Sequence, residues 1–461
     1  MTSISFYKET MQKSNNKTIV LTRNQHRKIE DSSDTRLQAF QRKIYVKACN
    51  NPKYKFYCLY DKVLRTDVLH EAYRRVRKNK GAAGIDKETF ADIEEKGVTE
   101  YLTRLQEELQ TETYRPSELR AIQIPKDKNK TRTLRIPTIK DRIVQMAIKL
   151  IIEPIYESNF EDSSYGYRPK KEGRQAVGKI NKEMFPEIYK VEGRQREICS
   201  IDLSNCFDTI PQKELIQLVA KRITDRKLLK LINRIIKVKA MGETIDEDQR
   251  GKGTPQGGVL SPLLANIYLD QLDKYWEKKE TKSKMMRYAD DMVILLNKEE
   301  EQEYQEFLNY IEEELDLIVN REKTTRRSIT EGFDFLGFTI RTKTSRRRKR
   351  YLSMEPSKKS MSKIRKNIKE IIQKYKTAPT EVLIQKLNEI TIGWQNYFDN
   401  ICMGKTRGAI RNYLEWKSKR EISRRNKSRT VKRKLFRNEA IYEKYKLHKL
   451  VNLGRKLADM Q

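Results

Sequence analysis

Histidine and paired cysteine are scarce in this sequence. It has three histidines, His26, His70 and His448, and its five cysteines form no C-x-x-C pair. This pattern argues against a zinc site and against a disulfide framework. Because histidine and cysteine carry much of the general acid–base and nucleophilic catalysis in proteins, carboxylates, metal ions and cations must carry any reaction here.

Long apolar runs are missing as well. No run approaches the roughly 18 residues that a membrane-spanning helix needs, and the first ten residues lack the apolar core of a signal peptide. We therefore expect a soluble, cytoplasmic protein with no membrane partner.

Positive charge is what the chain has in excess. Its 98 Lys and Arg against 64 Asp and Glu give a net charge of +34, which points to a polyanionic partner. Hydrophobic residues make up 37% of the chain, and 23 Tyr, 13 Phe and 3 Trp are present, so it is no disordered basic tail. A length of 461 residues predicts two to four domains.

The first part of the chain combines a polar leader with helices. Residues 1–33 are polar and irregular, and we expect a flexible leader. The spacing of Leu37, Phe40, Ile44 and Ala48 gives one apolar helical stripe and predicts a helix docked on the next domain.

The middle of the chain, residues 85–345, alternates strand-like and helix-like segments. Residues 121–125 and 134–137 flank a basic turn and predict a β-hairpin. Residues 198–203 and 292–296 are short apolar runs bounded by acids, as in central strands. The spacing of Phe307 or Leu308 with Ile311, Leu315 and Ile318 predicts an amphipathic helix, whose outer face is acidic.

Two basic runs follow. Residues 341–350 hold seven Lys or Arg and no acid, and residues 417–434 hold ten against one Glu. Periodic apolar residues between the runs predict two helices. This part indicates a basic helical bundle that begins near Met354.

Adjacent carboxylates provide the sharpest chemical signal, in the sequence RYADDMVILL at residues 287–296. Asp290 and Asp291 stand at the tip of a predicted hairpin, and Asp202 ends another apolar strand. If these strands are neighbours, Asp202 and Asp290 face each other and can share two divalent ions. Hard oxygen ligands suit magnesium. An exposed acidic turn is the simpler alternative for the pair alone.

Around this hairpin the chain resembles reverse transcriptases of the group II intron-encoded type. The resemblance implies an α/β (α+β) right-hand polymerase with fingers, a palm built on an antiparallel catalytic sheet, and an α-helical thumb or maturase domain. The resemblance rests on eight sequence blocks that occur in the family's order. The first is NKGAAGID at 79–86, and the second is the fingers block, made of IPK at 124–126, LRIPT at 134–138 and DRIVQ at 141–145. The other six are SYGYRP at 164–169, DLSNCFDTI at 202–210, GTPQGGVLSPLLAN at 253–266, YADD at 288–291, NREKT at 320–324 and FLGF at 335–338.

The resemblance also implies roles for individual residues. The catalytic residues would be Asp202, Asp290 and Asp291, which together with Leu203 would hold two Mg²⁺ ions, with Mn²⁺ as a possible substitute. The incoming nucleotide would be contacted by Lys126 and Arg132 at the triphosphate, Phe207 under the sugar, Gln256, and Lys323 near the departing pyrophosphate.

A simpler reading stands beside most of these nucleotide contacts. A bulky ring at Phe207 would exclude a 2′-hydroxyl and so favour deoxynucleotides, whereas without the resemblance the ring could merely anchor a helix in the core. In the same way, Lys126 and Arg132 could be solvated turn cations, and Lys323 a surface lysine.

Beyond residue 354 the helices resemble the thumb, or maturase, domain of intron proteins, on the stretch IGWQNYF at 392–398. Helical spacing places Trp394 and Phe398 in the core rather than on a base-stacking surface. Many intron proteins also carry a Cys/His endonuclease domain, whose cysteine pairs this sequence lacks, so we expect no cleavage of the second DNA strand. The basic runs are predicted to contact nucleic acid through Arg346, Arg347, Arg348, Lys349, Arg350, Lys417, Arg420, Arg424, Arg425, Arg429, Lys432 and Arg433.

These observations predict three parts: a leader and N-terminal extension over residues 1–60, fingers and palm over 61–345, and a helical thumb or maturase domain with a basic tail over 354–461. The resemblance implies an RNA-directed DNA polymerase that adds dNTPs to a DNA primer on an RNA template. It also implies binding of intron RNA to assist splicing and mobility. Two alternatives stay open: an RNA-binding maturase with a vestigial polymerase, and a domesticated enzyme of DNA repair or phage defence.

Overall fold

A computed structural model describes residues 35–127, 130–189, 196–242, 250–348, 350–399, 404–425 and 440–450. The predicted leader, residues 1–33, lies outside these ranges. Within them, no helix combines the length and the apolar character needed to cross a membrane.

Five helices precede the first strand in the described residues. The predicted stripe on the first of them is confirmed, because Leu37, Ile44 and Ala48 are buried. Their side chains pack towards a later helix, and Gln41 Nε2 donates to the carbonyl of Leu150 there over 2.7 Å. The five are α1 (Arg36–Asn50), α2 (Tyr60–Val63), α3 (Thr66–Lys78), α4 (Phe90–Glu95) and α5 (Val98–Gln110).

The next helix, α6 (Ile139–Glu157), is the spine of this part of the molecule. It is buried on almost every face and packs against α1, α2 and α3. Its core side chains are mostly isoleucine, which explains the burial, and Thr138 caps its first turn by accepting from the Asp141 N–H. The helix follows directly after the predicted hairpin, so the hairpin projects from a rigid base.

The strands of the described residues form three antiparallel sheets. The first is the predicted hairpin, confirmed as β1 (Arg120–Asp127) and β2 (Lys130–Ile136). The other strands are β3 (Glu197–Asp202), β4 (Lys284–Tyr288), β5 (Asp291–Leu296), β6 (Thr325–Ser328), β7 (Phe333–Phe335), β8 (Phe338–Thr344) and β9 (Arg350–Pro356). The second sheet has four strands in the order β4-β5-β3-β6, and the third has three in the order β7-β8-β9.

The two central strands predicted from sequence are β3 and β5, which pair with each other in the middle of the four-stranded sheet. One face of this sheet belongs to the main core, with Cys199, Ile201 and Ile294. The opposite face, with Ile198 and Val293, joins a second core shared with the three-stranded sheet. Burial on both faces explains why these strands read as continuous apolar runs.

Helices surround this sheet between residues 173 and 314. The predicted acidic helix is present, and its Phe307, Ile311 and Leu315 are buried. The inclusion of Ile318 was wrong: the helix ends in a π-helical segment, Tyr310–Glu314, and Ile318 is exposed. The helices are α7 (Gly173–Tyr189), α8 (Cys206–Thr209), α9 (Gln212–Ala220), α10 (Arg226–Ile236), α11 (Ser261–Lys278) and α12 (Glu301–Asn309), with a short 3₁₀ turn at Lys298–Glu300.

The C-terminal part is helical, as predicted, and has its own core. Met354 lies within β9, opposite Ile340 of β8, so the helices begin only at Lys358. The described residues of the basic run 341–350, which the sequence presented only as a charge run, belong to the ends of β8 and β9 and to the turn between them. The helices are α13 (Lys358–Lys374), α14 (Thr380–Phe398), α15 (Gly404–Arg425) and α16 (Ala440–Glu443).

Candidate active site

Three carboxylates meet at one end of the four-stranded sheet. Strand β3 ends at Asp202 and β5 begins at Asp291, and these two residues are direct cross-strand partners. Asp290 occupies the two-residue turn between β4 and β5, in which Ala289 has a positive φ of 58°. The apolar parts of both strands are buried, so the chain leaves the core where these acids stand. The two strands are neighbours, as predicted, but the residue directly opposite Asp202 is Asp291 and not Asp290, because Asp290 lies in the turn before β5.

Negative charge is crowded at this end of the sheet. The pKa of the Asp291 carboxyl is raised to about 6, first because the surrounding protein displaces water from it and then because Asp290 and Asp202 repel its charged form. Lys323 opposes this rise. Carboxylates gathered against their mutual repulsion favour a cation among them.

Lys323 faces the carboxylates from the loop that precedes β6. Its Nζ lies 2.7 Å from Oδ2 of Asp202, and this hydrogen bond raises the pKa of the lysine. The loop is fixed to the catalytic strand, because the Asn320 N–H donates to the Asp202 carbonyl over 2.8 Å and Val319 bridges to Leu203. Leucine has no side-chain oxygen, so Leu203, whose side chain is buried, could offer a metal ion only its main-chain carbonyl.

The donors at this site suit a hard divalent cation that shares its ligands with a substrate. Within the described ranges, no three His, Cys, Asp or Glu side chains are grouped so that they alone could hold a metal ion. Asp202 and Asp291 line a surface pocket together with Lys323. Because Mg²⁺ usually keeps several waters and takes further oxygens from substrate phosphates, a partial carboxylate set fits it.

A buried ion pair fixes the hairpin that carries Asp290. The guanidinium of Arg287 is fully buried and pairs with Asp273 of α11, with Nε 2.8 Å from Oδ1. Its Nη1 donates to the Ala289 carbonyl over 3.0 Å, so the same side chain holds the turn. Sequence reasoning did not select either residue. The available signal was an arginine inside an otherwise apolar strand, since buried charges are normally paired.

The SYGYRP segment, residues 164–169, packs on the same hairpin. A Cβ built on Gly166 would lie 2.4 Å from the Ala289 nitrogen, so only glycine permits this approach. The next residue, Tyr167, has a φ of 57° and a side chain that is 50% exposed. Burial raises the pKa of its hydroxyl, and the nearby charge of Asp290 raises it further. An aromatic ring therefore stands beside the carboxylates, and the sequence interpretation had given it no role.

Asp208 links the predicted nucleotide contact Gln256 to the β1–β2 hairpin. Gln256 Nε2 donates to Asp208 Oδ2 over 2.9 Å, and Arg135 Nη1 lies 2.9 Å from Oδ1. The main chains are also close, since the Arg135 N–H donates to the Gln256 carbonyl over 2.7 Å. At Gly257, where φ is 119°, a Cβ would lie 2.5 Å from the Arg135 carbonyl oxygen.

The sequence interpretation did not select Arg135 or Asp208, because the two residues are brought together only in the folded chain. Phe207 is half-buried and packs against the main core. Its carbonyl accepts from the Thr254 N–H over 2.7 Å, which ties it to the turn that contains Gln256. The structure therefore brings the predicted residues Phe207 and Gln256 together.

The other two predicted nucleotide contacts lie on the hairpin of β1 and β2. Arg132 is exposed on β2, opposite Ile124. Lys126 lies in β1, and its side chain falls outside the described part of the chain. Contact of either residue with a triphosphate stays a prediction.

The predicted nucleic-acid contacts fall on two surfaces. At the turn between β8 and β9, Arg346, Arg347, Arg348 and Arg350 are exposed, whereas Lys349 falls outside the described residues. This group is called the hairpin arginines below.

The second surface is on α15. Lys417 Nζ and the Arg420 guanidinium lie 4.9 and 5.6 Å from the ring centre of the exposed Trp416. Arg424 is exposed and pairs with Glu421. The remaining predicted contacts of this run, Arg429, Lys432 and Arg433, lie outside the described residues.

Arg425, another predicted nucleic-acid contact, is mostly engaged within the protein. Its side chain is only 14% exposed and pairs with Glu421. It also donates to the carbonyls of Ala378 and Tyr375 over 2.6 and 2.7 Å. These donors are used to hold α15 against the turn after α13.

Two known families match the chain, one over the part that contains most of the strands and one over most of the C-terminal helices. Residues 124–340 match the family described as reverse transcriptase (RNA-dependent DNA polymerase). Residues 361–439 match the family described as group II intron, maturase-specific domain. The first match contains the three carboxylates, and the second contains most of the C-terminal helices.

Individual relatives point the same way. The group II intron-encoded protein LtrA of Lactococcus lactis subsp. cremoris is 38% identical over 220 residues, which cover 47% of this chain but only 35% of LtrA. Protein YkfC of Escherichia coli K12 is 30% identical over 346 residues, covering 67% of this chain and 90% of YkfC. A putative COX1/OXI3 intron 2 protein of Saccharomyces cerevisiae is 24% identical over 399 residues, covering 74% of this chain and 44% of that protein.

Proposed function

The chain belongs to the group II intron-encoded reverse transcriptases, and on that premise we propose that it is an RNA-directed DNA polymerase that also binds intron RNA. The polymerase would join the 3′-hydroxyl of a DNA primer to the α-phosphate of a dNTP on an RNA template and release pyrophosphate. The observation that carries the proposal is the cross-strand pairing of Asp202 with Asp291, beside Asp290 and Lys323.

We propose that Asp202, Asp290 and Asp291 would hold two divalent ions, with Mg²⁺ as the natural choice. The family generally depends on divalent metal ions, and the donor set of carboxylates suits a hard cation. When bound, the metal ions would activate the primer hydroxyl and neutralise charge on the transferring phosphate. The choice of Mg²⁺ over Mn²⁺ and the number of ions belong to the proposal.

The protein side chains would supply positioning and charge. Lys323, whose Nζ lies 2.7 Å from Asp202 Oδ2, would meet the departing pyrophosphate. Gln256 and Phe207 would orient the base and sugar, and Arg132 would meet the triphosphate. Because nucleotidyl transfer needs positioning and electrostatic stabilisation more than proton-transfer groups, the scarcity of histidine is no obstacle.

Primer extension tests the polymerase. Wild type should incorporate dTTP on poly(rA)/oligo(dT) in Mg²⁺, and EDTA should abolish the reaction. Asp290→Asn keeps the side-chain shape but removes the charge, so we expect a loss of at least about a thousandfold, equivalent to several kcal/mol of transition-state stabilisation. No synthesis by wild type in either Mg²⁺ or Mn²⁺ would defeat the enzyme proposal.

Binding of intron RNA tests the second proposed activity. Together with primer extension, it distinguishes an active polymerase from a maturase whose polymerase is vestigial. The match of residues 361–439 to the maturase-specific domain supports this activity. A group II intron RNA should bind wild type and Asp290→Asn equally, more tightly than an unstructured RNA of the same length. Equal affinity for the two RNAs would remove the maturase part. An absence of ribozyme structure in the DNA flanking the gene would favour a domesticated enzyme instead.

A further inference from the structure

Tyr167 combines an exposed ring with a constrained main chain. Its side chain is 50% exposed, and its φ of 57° lies in the left-handed region that tyrosine rarely adopts. A residue persists in this conformation only when its surroundings determine it, and such residues cluster at functional sites.

Contacts on both sides of Tyr167 hold it there. On the N-terminal side, the Tyr165 N–H donates to the Arg287 carbonyl over 2.8 Å, and the Gly166 carbonyl accepts from Asn266 Nδ2 over 2.8 Å. On the C-terminal side, the buried Arg168 donates to the Ser164 carbonyl over 2.8 Å.

Arg168 is itself held by a buried ion pair with Glu157 of α6. Its Nη2 lies 2.8 Å from Oε1 of Glu157, and both side chains are almost fully buried. The residues on either side of Tyr167 are therefore tied to the catalytic hairpin or to the core. The tyrosine ring is projected from a rigid loop and not from a mobile one.

The ring is directed towards Phe207. The two ring centres are 6.4 Å apart with an angle of 77° between the planes, an edge-to-face arrangement, which aromatic pairs prefer. Phe207 also packs against the main core. Its ring is therefore in contact with both the core and Tyr167.

We propose that Tyr167 is a positioning residue that fixes the Phe207 ring and thereby contributes to discrimination between deoxynucleotides and ribonucleotides. The inference rests on the proposed polymerase function, in which Phe207 lies under the sugar. A 2′-hydroxyl is excluded only if the ring cannot move aside. The contacts with the core and with Tyr167 together limit the movement of the Phe207 ring.

The proposal assigns the effect to the ring of Tyr167 and not to its hydroxyl. Tyr167→Phe keeps the edge-to-face contact and should leave discrimination unchanged. Tyr167→Asn removes the ring and tolerates a positive φ, so it alters the contact without straining the loop.

The test measures kcat/KM for dTTP and for UTP on poly(rA)/oligo(dT). We expect Tyr167→Asn to lower the dTTP/UTP ratio about tenfold, and Tyr167→Phe to keep it within about twofold of wild type. In a Phe207→Ala background, Tyr167→Asn should change the ratio no further, because its effect passes through the Phe207 ring. Tyr57→Ala removes another exposed tyrosine ring, 70% exposed, and should leave the ratio unchanged.

Three outcomes would overturn the inference. If Tyr167→Asn slows both nucleotides equally, the residue has only a structural role. If its effect on the ratio adds fully to that of Phe207→Ala, it does not act through that ring. If wild type incorporates no dTTP at all, the proposed function fails and this inference falls with it. Thermal unfolding of each variant checks that Tyr167→Asn is folded before its ratio is compared.

Discussion

Lys323 and Asp202 form an ion pair across two separate elements, with Nζ 2.7 Å from Oδ2. Asp202 ends the central strand β3, whereas Lys323 lies 121 residues later in the chain. The main chains are tied as well, since the Asn320 N–H donates to the Asp202 carbonyl. The cation is therefore built into the carboxylate site and does not reach it from a free loop.

This geometry predicts a large effect of removing the Lys323 charge. Lys323→Ala should lower kcat for dTTP by roughly a hundredfold, the scale expected when a group that assists the leaving pyrophosphate is removed. Lys323→Arg keeps the charge and should retain more activity. Single-turnover primer extension measures both variants. A loss below about threefold in Lys323→Ala would return Lys323 to the status of a surface lysine.

Phe207→Ala should weaken sugar discrimination. Removing the ring opens space for a 2′-hydroxyl, so the dTTP/UTP ratio of kcat/KM should fall by roughly tenfold to a hundredfold. The change should come mainly from faster use of UTP. Unchanged discrimination would mean that the half-buried ring only anchors α8 in the core.

Asp208 should control nucleotide binding through its hydrogen bonds with Arg135 and Gln256. Asp208→Ala removes the acceptor of both Arg135 and Gln256, each 2.9 Å away. Loss of an acceptor for partly buried donors costs about 1–3 kcal/mol, so we expect KM for dTTP to rise about tenfold with a smaller change in kcat. Asp316→Ala breaks the surface ion pair with Lys252 and serves as the control. Equal KM values in the two variants would exclude a positioning role for Asp208.

Arg287→Met should destabilise the protein. It leaves Asp273 charged and unpaired, with both side chains fully buried, and such a change costs about 3–5 kcal/mol. The matched control, Arg321→Met, breaks the exposed pair with Glu312 and should cost at most about 1 kcal/mol. Urea unfolding midpoints measure the two variants. Similar midpoints would show that the buried pair contributes no more than a surface pair.

The hairpin arginines should contribute to RNA affinity through charge. Reversing Arg346, Arg347 and Arg348 to glutamate should lower the slope of log K against log salt by roughly two to three, about one for each phosphate that the protein no longer neutralises. The control carries the same change in net charge, made at three exposed cations that pair with acids in the N-terminal part of the chain: Arg74, Lys96 and Arg104. An equal slope in the two triple variants would show that only net charge matters.

Much of the secondary structure could be predicted from the sequence, because helices, strands and turns depend on patterns within short segments of the chain. The hairpin of β1 and β2, the central strands β3 and β5, and the helices α13 and α14 follow from apolar periodicity and turn residues. Local signals also failed where the chain departs from regular geometry. The apolar repeat through Ile318 was interrupted by the π-helical segment before it, and the charged run at 341–350 concealed a β-hairpin.

The sequence by itself determined which residues could do the chemistry. A chain with three histidines and no cysteine pair leaves carboxylates, and the motif around Asp290 selected them together with Asp202. Only the tertiary structure decided which residues meet. The opposition of Asp202 and Asp291, the Arg287–Asp273 pair, the Asp208 link and the contact of Tyr167 with Phe207 all join distant segments. Such contacts depend on how strands and loops pack, and periodicity within a single segment holds no information about them.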